Sequence, residues 1–178
     1  KKLENSGVID DMRIFFNVQT MRAKSTRKKP SPYGIAPVAA SRIARRLTIL
    51  ISYEGWAHNP DAIAQHHALR IAAKKLRYTM EVFAPLYRFG LKKYLVRIKR
   101  IQAILGDLHD CDVWIDIVMV MLMKERSRLP VKDSAKNKQT SRVGGYEHFL
   151  SERQKERKRL YRIFVRYWES LKHSGFWD

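Results

Sequence analysis

At 178 residues and 45% hydrophobic content, the chain is long enough for one cored domain and too apolar for a disordered polyelectrolyte. Its 36 Lys and Arg against 17 Asp and Glu give a formal net charge of +19, which points to polyanionic partners: nucleic acid, inorganic polyphosphate, an anionic surface or acidic proteins. The lone Cys111 excludes an intrachain disulfide and fits a reducing, cytoplasmic setting, and the longest apolar run, 117–123, is too short to cross a bilayer.

The chain opens on Lys1 rather than Met and reads as a piece of something longer. Residues 7–21, GVIDDMRIFFNVQTM, mix apolar and polar residues at helical spacing and predict a helix. RAKSTRKKPSPYGIAP follows, with five basic residues, three prolines and no acid. Its prolines forbid a continuous helix and predict a linker. A helical pattern resumes over 38–57, with Arg42 and Arg46 inside its broad apolar arc. Two readings stand for that pair: they cap an edge of the core, or they face a groove that holds an anion.

HNPD breaks the chain, and Asp61 is the predicted N-cap of the next helix. That helix, ending near Phe83 before Pro85, carries HHALRIAAKKLRYTMEVF. At 100° per residue, His67, Arg70, Lys74, Arg77, Tyr78 and Glu81 share an arc of roughly 100°. Leu69, Ala72, Ala73, Leu76, Met80 and Phe83 lie opposite. The bland reading is a solvated charged face; the unmixed run of cations favours an anion site.

A further helix over 91–108 repeats the plan, with Lys93, Lys99 and Arg100 on one side and Tyr94, Leu95, Ile98, Ile101 and Leu105 on the other. A short turn between the two predicts antiparallel neighbours with basic faces lining one groove. Gly106 predicts a kink or a tight packing point. Residues 110–127 read as a core helix, with Met119, Met121 and Met123 as core filling and Cys111, between two carboxylates, as a small core residue. Residues 129–145 read as a loop. The last helix, 146–172, has an apolar stripe through Phe149, Leu160, Ile163, Phe164, Tyr167, Trp168 and Leu171, with Arg153 and Arg157 pointing inward. No strand pattern occurs, so the expected fold is an all-α antiparallel bundle of about five to six helices without β-sheet.

The stretch HHALRIAAKKLRYTMEVF followed by IKRIQAILGDLHDCDV resembles the CHAD family, the conserved histidine α-helical domain. The matching positions are His67, Arg70, Lys74, Leu76, Arg77 and Tyr78, then Lys99, Gln102, Leu105, Gly106 and Asp110. The terminal YWESLKHSGFW is similar to the family's closing helix, so the resemblance covers roughly 36–178. It implies a helical bundle that binds inorganic polyphosphate in a basic groove without catalysis of its own. The family carries two related halves; only one block occurs here, and it resembles the C-terminal half. Residues 1–21 then resemble the tail of a preceding half, 22–36 a basic linker and 37–178 the bundle. A homodimer, or pairing with a missing N-terminal half, is expected to complete it.

The expected polyphosphate-binding set is His67, Arg70, Lys74, Arg77, Lys93, Lys99, Arg100, Arg153 and Arg157, since Arg gives bidentate and Lys point-charge contacts to phosphate. Tyr78, Glu81, Gln102 and Asp110 are expected to orient that set. Two other readings are a nucleic-acid binder and a phosphate-processing enzyme. Against the first stand the absence of helix-turn-helix logic, zinc spacing or exposed aromatics among the basic residues. Against the second, there is no Gly-rich phosphate loop, no His-x-x-x-His pair and no convincing carboxylate cluster. Adjacent His66 and His67 point about 100° apart on a helix, so no metal, no cofactor and no catalytic residue is expected. The expected location is the cytoplasm, in association with polyphosphate granules.

Overall fold

The computed structural model describes residues 34–87, 90–127 and 136–177, with side chains from residue 142 onward in the last helix. The predicted helix at 7–21 and the linker up to residue 33 lie outside the described residues. Helix α1 spans Ile35–Ile51, α2 Glu54–Ala57, α3 Ile63–Phe83, α4 Lys92–Ser127 and α5 Lys136–His173, with a 3-10 turn at Ala84–Tyr87. The described residues contain no strand, so the fold is all-α. None of their helices is long and apolar enough to cross a membrane.

The chain enters α1 earlier than its prolines suggest. Pro37 sits in the first turn, where a backbone N–H has no helical partner to lose. α1 also stops earlier than 57: Tyr53 N–H turns to the Leu50 carbonyl three residues back, and the Ser52 hydroxyl donates to the Ile49 carbonyl. Its buried stripe runs through Ala39, Ala40, Ile43, Ala44, Leu47 and Leu50. Arg42 is exposed and Arg46 only half-buried, so both flank that stripe rather than enter it. At the start of α3 the Asp61 side chain does not cap. The Asn59 side-chain oxygen instead accepts from Asp61 N–H, and Ala62 is the N-cap.

α3 and α4 pack antiparallel, as do α4 and α5. α4 is one unbroken helix through Gly106: a single glycine costs about 1 kcal/mol, and packing on both sides outweighs it. A β-carbon at Gly106 would stand 3.9 Å from Arg70 Nε, so Gly106 marks where an arginine lies across the helix, not a kink. α5 begins ten residues before the predicted 146 and absorbs Gly144 and Gly145.

The core joins Ile43 and Leu50 of α1, Leu69 and Leu76 of α3, Ile98, Ile101, Leu105 and Leu108 of α4, and Phe164 and Trp168 of α5. The end of the chain folds back into it. Gly175 takes φ 61°, Gly175 N–H reaches the Lys172 carbonyl and Phe176 N–H the Leu171 carbonyl, which is a Schellman ending. That reversal sets Phe176 5.4 Å from Tyr94 and Trp177 4.9 Å from Trp168, between ring centroids.

The second half of α4 is buried on one side only, through Val118 and Leu122. α3 starts at Ile63 and His67 meets His109, so the antiparallel register takes α3 no further than about Val113. Beyond that point α5 is the neighbour of α4 among the described residues. Met119, Met121 and Met123 are exposed, as are Trp114 and Phe149.

Two substitutions test this packing in denaturant unfolding. Trp168→Ala is expected to cost about 3–5 kcal/mol, as for large buried aromatics. Gly175→Ala is expected to cost about 1–2 kcal/mol through the left-handed backbone alone.

Candidate functional site

Regular helix spacing places His67, Arg70, Lys74 and Arg77 along one outer edge of α3, each about 4.5–6 Å further on. The edge faces α4, and the seam between the two helices collects charge from both. Lys99 Nζ lies 3.0 Å from Glu81, whose other oxygen is 3.7 Å from Arg77 Nε. One carboxylate thus ties a cation from each helix to the same spot. Arg70 lies over Gly106 in the middle of the seam. At its far end His67 Nδ1 and His109 Nδ1 are 3.3 Å apart, with rings 4.4 Å between centroids. Tyr78 is 45% exposed, with Arg77 Cζ 4.5 Å and Lys74 Nζ 5.9 Å from its ring centroid. An exposed aromatic therefore does stand among the basic residues.

The other expected site residues lie elsewhere. Lys93 sits over the Tyr94 ring at 4.9 Å. Arg100 turns toward α5 and covers the Tyr167 ring at 5.0 Å. Arg153 lies at 5.5 Å over Phe149 on its own helix, and its Nε is buried without a hydrogen-bond partner. Arg157 is 13% exposed and ion-paired to Asp112, itself 8% exposed, in the interior between α4 and α5. Gln102 is half-buried with an unpartnered Oε1, and Asp110 is exposed. Five of the nine cations therefore share the α3–α4 seam, and four do not.

Adjacent His66 and His67 have opposite fates. His66 is 2% exposed and donates from Nε2 to the Trp56 carbonyl at 3.3 Å. The rings of Tyr161 and Phe164 lie at 5.6 and 6.0 Å. Burial lowers the His66 pKa, aided by Arg157, against the opposing pull of the Trp56 carbonyl and Asp112. Burial also pushes the Cys111 thiol up, and Arg153 only partly offsets it, so that sulfur is no ready nucleophile. Among the described residues, no three of His, Cys, Asp and Glu are grouped to hold a metal ion.

The sequence reading missed His109 and the Asp112–Arg157 pair. Antiparallel register across the short turn was the available signal for His109: Glu81 facing Lys99 carries His67 to within reach of it.

The fold is an all-helical bundle, and cations of α3 and α4 meet along one interhelical seam. The CHAD domain matches residues 7–118, more than half of the chain, and the chain belongs to the CHAD family. The match takes in both halves of the seam and ends within α4, so α5 lies outside it. No curated protein and no solved structure matches the chain.

Two stability measurements follow. Asp112→Ala leaves a buried guanidinium unpaired and is expected to cost about 3–5 kcal/mol in denaturant unfolding. The folded pKa of His66 lies below its ordinary 6.5. Its contribution is therefore complete above that pH and is lost as pH falls toward the folded value, where the unfolded chain binds the extra proton. Comparing unfolding free energies at neutral and acid pH, His66→Leu should show a shallower loss than the parent chain.

Proposed function

We propose that the chain is a binding module for inorganic polyphosphate, which lies along the α3–α4 seam and meets His67, Arg70, Lys74, Arg77 and Lys99. The observation that carries this reading is their collinearity. A linear polyanion neutralises a row of cations better than a compact anion can, and arginine offers it paired donors. Glu81 holds Arg77 and Lys99 together across the seam and offsets part of their mutual repulsion, at the cost of competing with the ligand. His67 and His109 meet at the far end of the row. Membership of the CHAD family supports the ligand class. The module acts by holding its ligand, not by transforming it, in the cytoplasm and at polyphosphate granules.

Exposed Tyr78 between Lys74 and Arg77 favours a second reading, a single-stranded nucleic acid whose base stacks on that ring. One aromatic is a short platform, and the polyphosphate reading uses the whole row.

In a polyphosphate titration, Arg70→Ala with Lys74→Ala should weaken binding about 10- to 100-fold, the scale of a lost charged hydrogen bond of about 1.5–3 kcal/mol. Unchanged affinity would remove the seam from the site. RNA at equal phosphate concentration should fail to displace polyphosphate; efficient displacement would favour the nucleic-acid reading. Release of phosphate from polyphosphate during incubation would show an enzyme.

A further inference from the structure

We propose that the projecting part of α4, with the facing turns of α5, is a self-association arm through which two copies of this chain pair. The proposal does not depend on the ligand of the seam. It begins from apolar surface that the fold leaves open. Trp114, Ile117, Val120, Met121 and Met123 of α4 and Phe149 of α5 are all exposed, from 38% at Ile117 to 63% at Met123. At 100° per residue Val120 and Met121 alone differ by that angle, and Met123 lies further round, so the helix is apolar on several sides. A helix of that kind is normally enclosed by others. Trp114, Val118, Met121, Tyr146 and Phe149 also line an open groove of about 460 Å³ on one side of the arm.

Charge selects the occupant. The chain carries +19 overall. Over 113–127 and 142–152, however, Asp116, Glu125, Glu147 and Glu152 stand against Lys124, Arg126 and Arg142, so the arm is close to neutral. Arg126 and Glu147 already pair across it at 2.6 Å. Two copies repel each other wherever their cationic faces approach, and the arm is a part of the described surface that can meet itself without that penalty. Two antiparallel helices from each copy, related by a two-fold axis, make a four-helix unit with the apolar residues inside.

The described part of the chain begins at the opposite end of the bundle from the arm. α1 runs antiparallel to α3, with Ile43 and Leu47 beside Met80 and the segment after α1 beside His66. Gly34 therefore lies at the end of the bundle away from the arm.

Sedimentation of the full chain in molar salt tests the proposal, since screening there also removes any dimer bridged by a bound polyanion. The parent chain and Val82→Glu, which alters an exposed valine of α3 away from the arm, should sediment as dimers. Ile117→Glu and Met121→Glu should sediment as monomers with helical circular dichroism unchanged. A monomeric parent chain, or arm variants that stay dimeric, would overturn it.

Discussion

With 36 lysines and arginines against 17 aspartates and glutamates, like charges meet wherever two helices of this chain approach each other. Apolar burial is non-directional and gathers the helices regardless. The few carboxylates decide which cations may sit at the contacts. Asp112 is spent on Arg157 in the interior, where an unpaired guanidinium would be costly. Glu81 is spent on Arg77 and Lys99 at the α3–α4 seam. Glu54 and Glu169 tie Lys172 and His58 across the bundle between the α2 region and α5. The row on α3 joins Arg77, which Glu81 holds, to His67, Arg70 and Lys74, which have no carboxylate partner among the described ion pairs.

The same rule explains why adjacent residues diverge. His66 enters the interior as a neutral ring because burial, aided by Arg157, outweighs the pull of the Trp56 carbonyl and Asp112 toward the charged form, and that carbonyl accepts its one N–H. One residue on, His67 faces solvent across the seam. Arg70 and Arg157 form a similar contrast. Both come from helices with strong apolar backs, yet one has its guanidinium over a glycine at the surface and the other faces a buried carboxylate.

Much of α3 was legible in the sequence, because its period is local: the apolar back and the cationic front follow from spacing, and Pro85 ends the α-helix at Phe83. What failed depended on partners far along the chain. Of the two readings of Gly106, a kink or a tight packing point, the kink fails because α4 is packed on both sides and runs through it unbroken. The methionines at 119, 121 and 123 read as core only if α3 is assumed to run beside them, and it starts too late. Asp112, 45 residues from Arg157, cannot be recognised as its partner from periodicity. Arg153 and Arg157 could therefore be placed inward by their helical phase but not assigned between a ligand and an internal ion pair. Asn59 outcompeting Asp61 at the start of α3 is a matter of one residue of turn geometry.

Polyphosphate, if it lies along the α3–α4 seam, must touch some cations and leave others alone. Side-chain NMR of arginine, lysine and histidine during a polyphosphate titration maps that choice most directly. Signals of Arg70, Lys74, Arg77, Lys99, His67 and His109 should shift together and saturate at one stoichiometry, while Arg157 stays unmoved. Shifts led by Arg162 and Arg166 on the outer face of α5, with the α3 row unchanged, would contradict it.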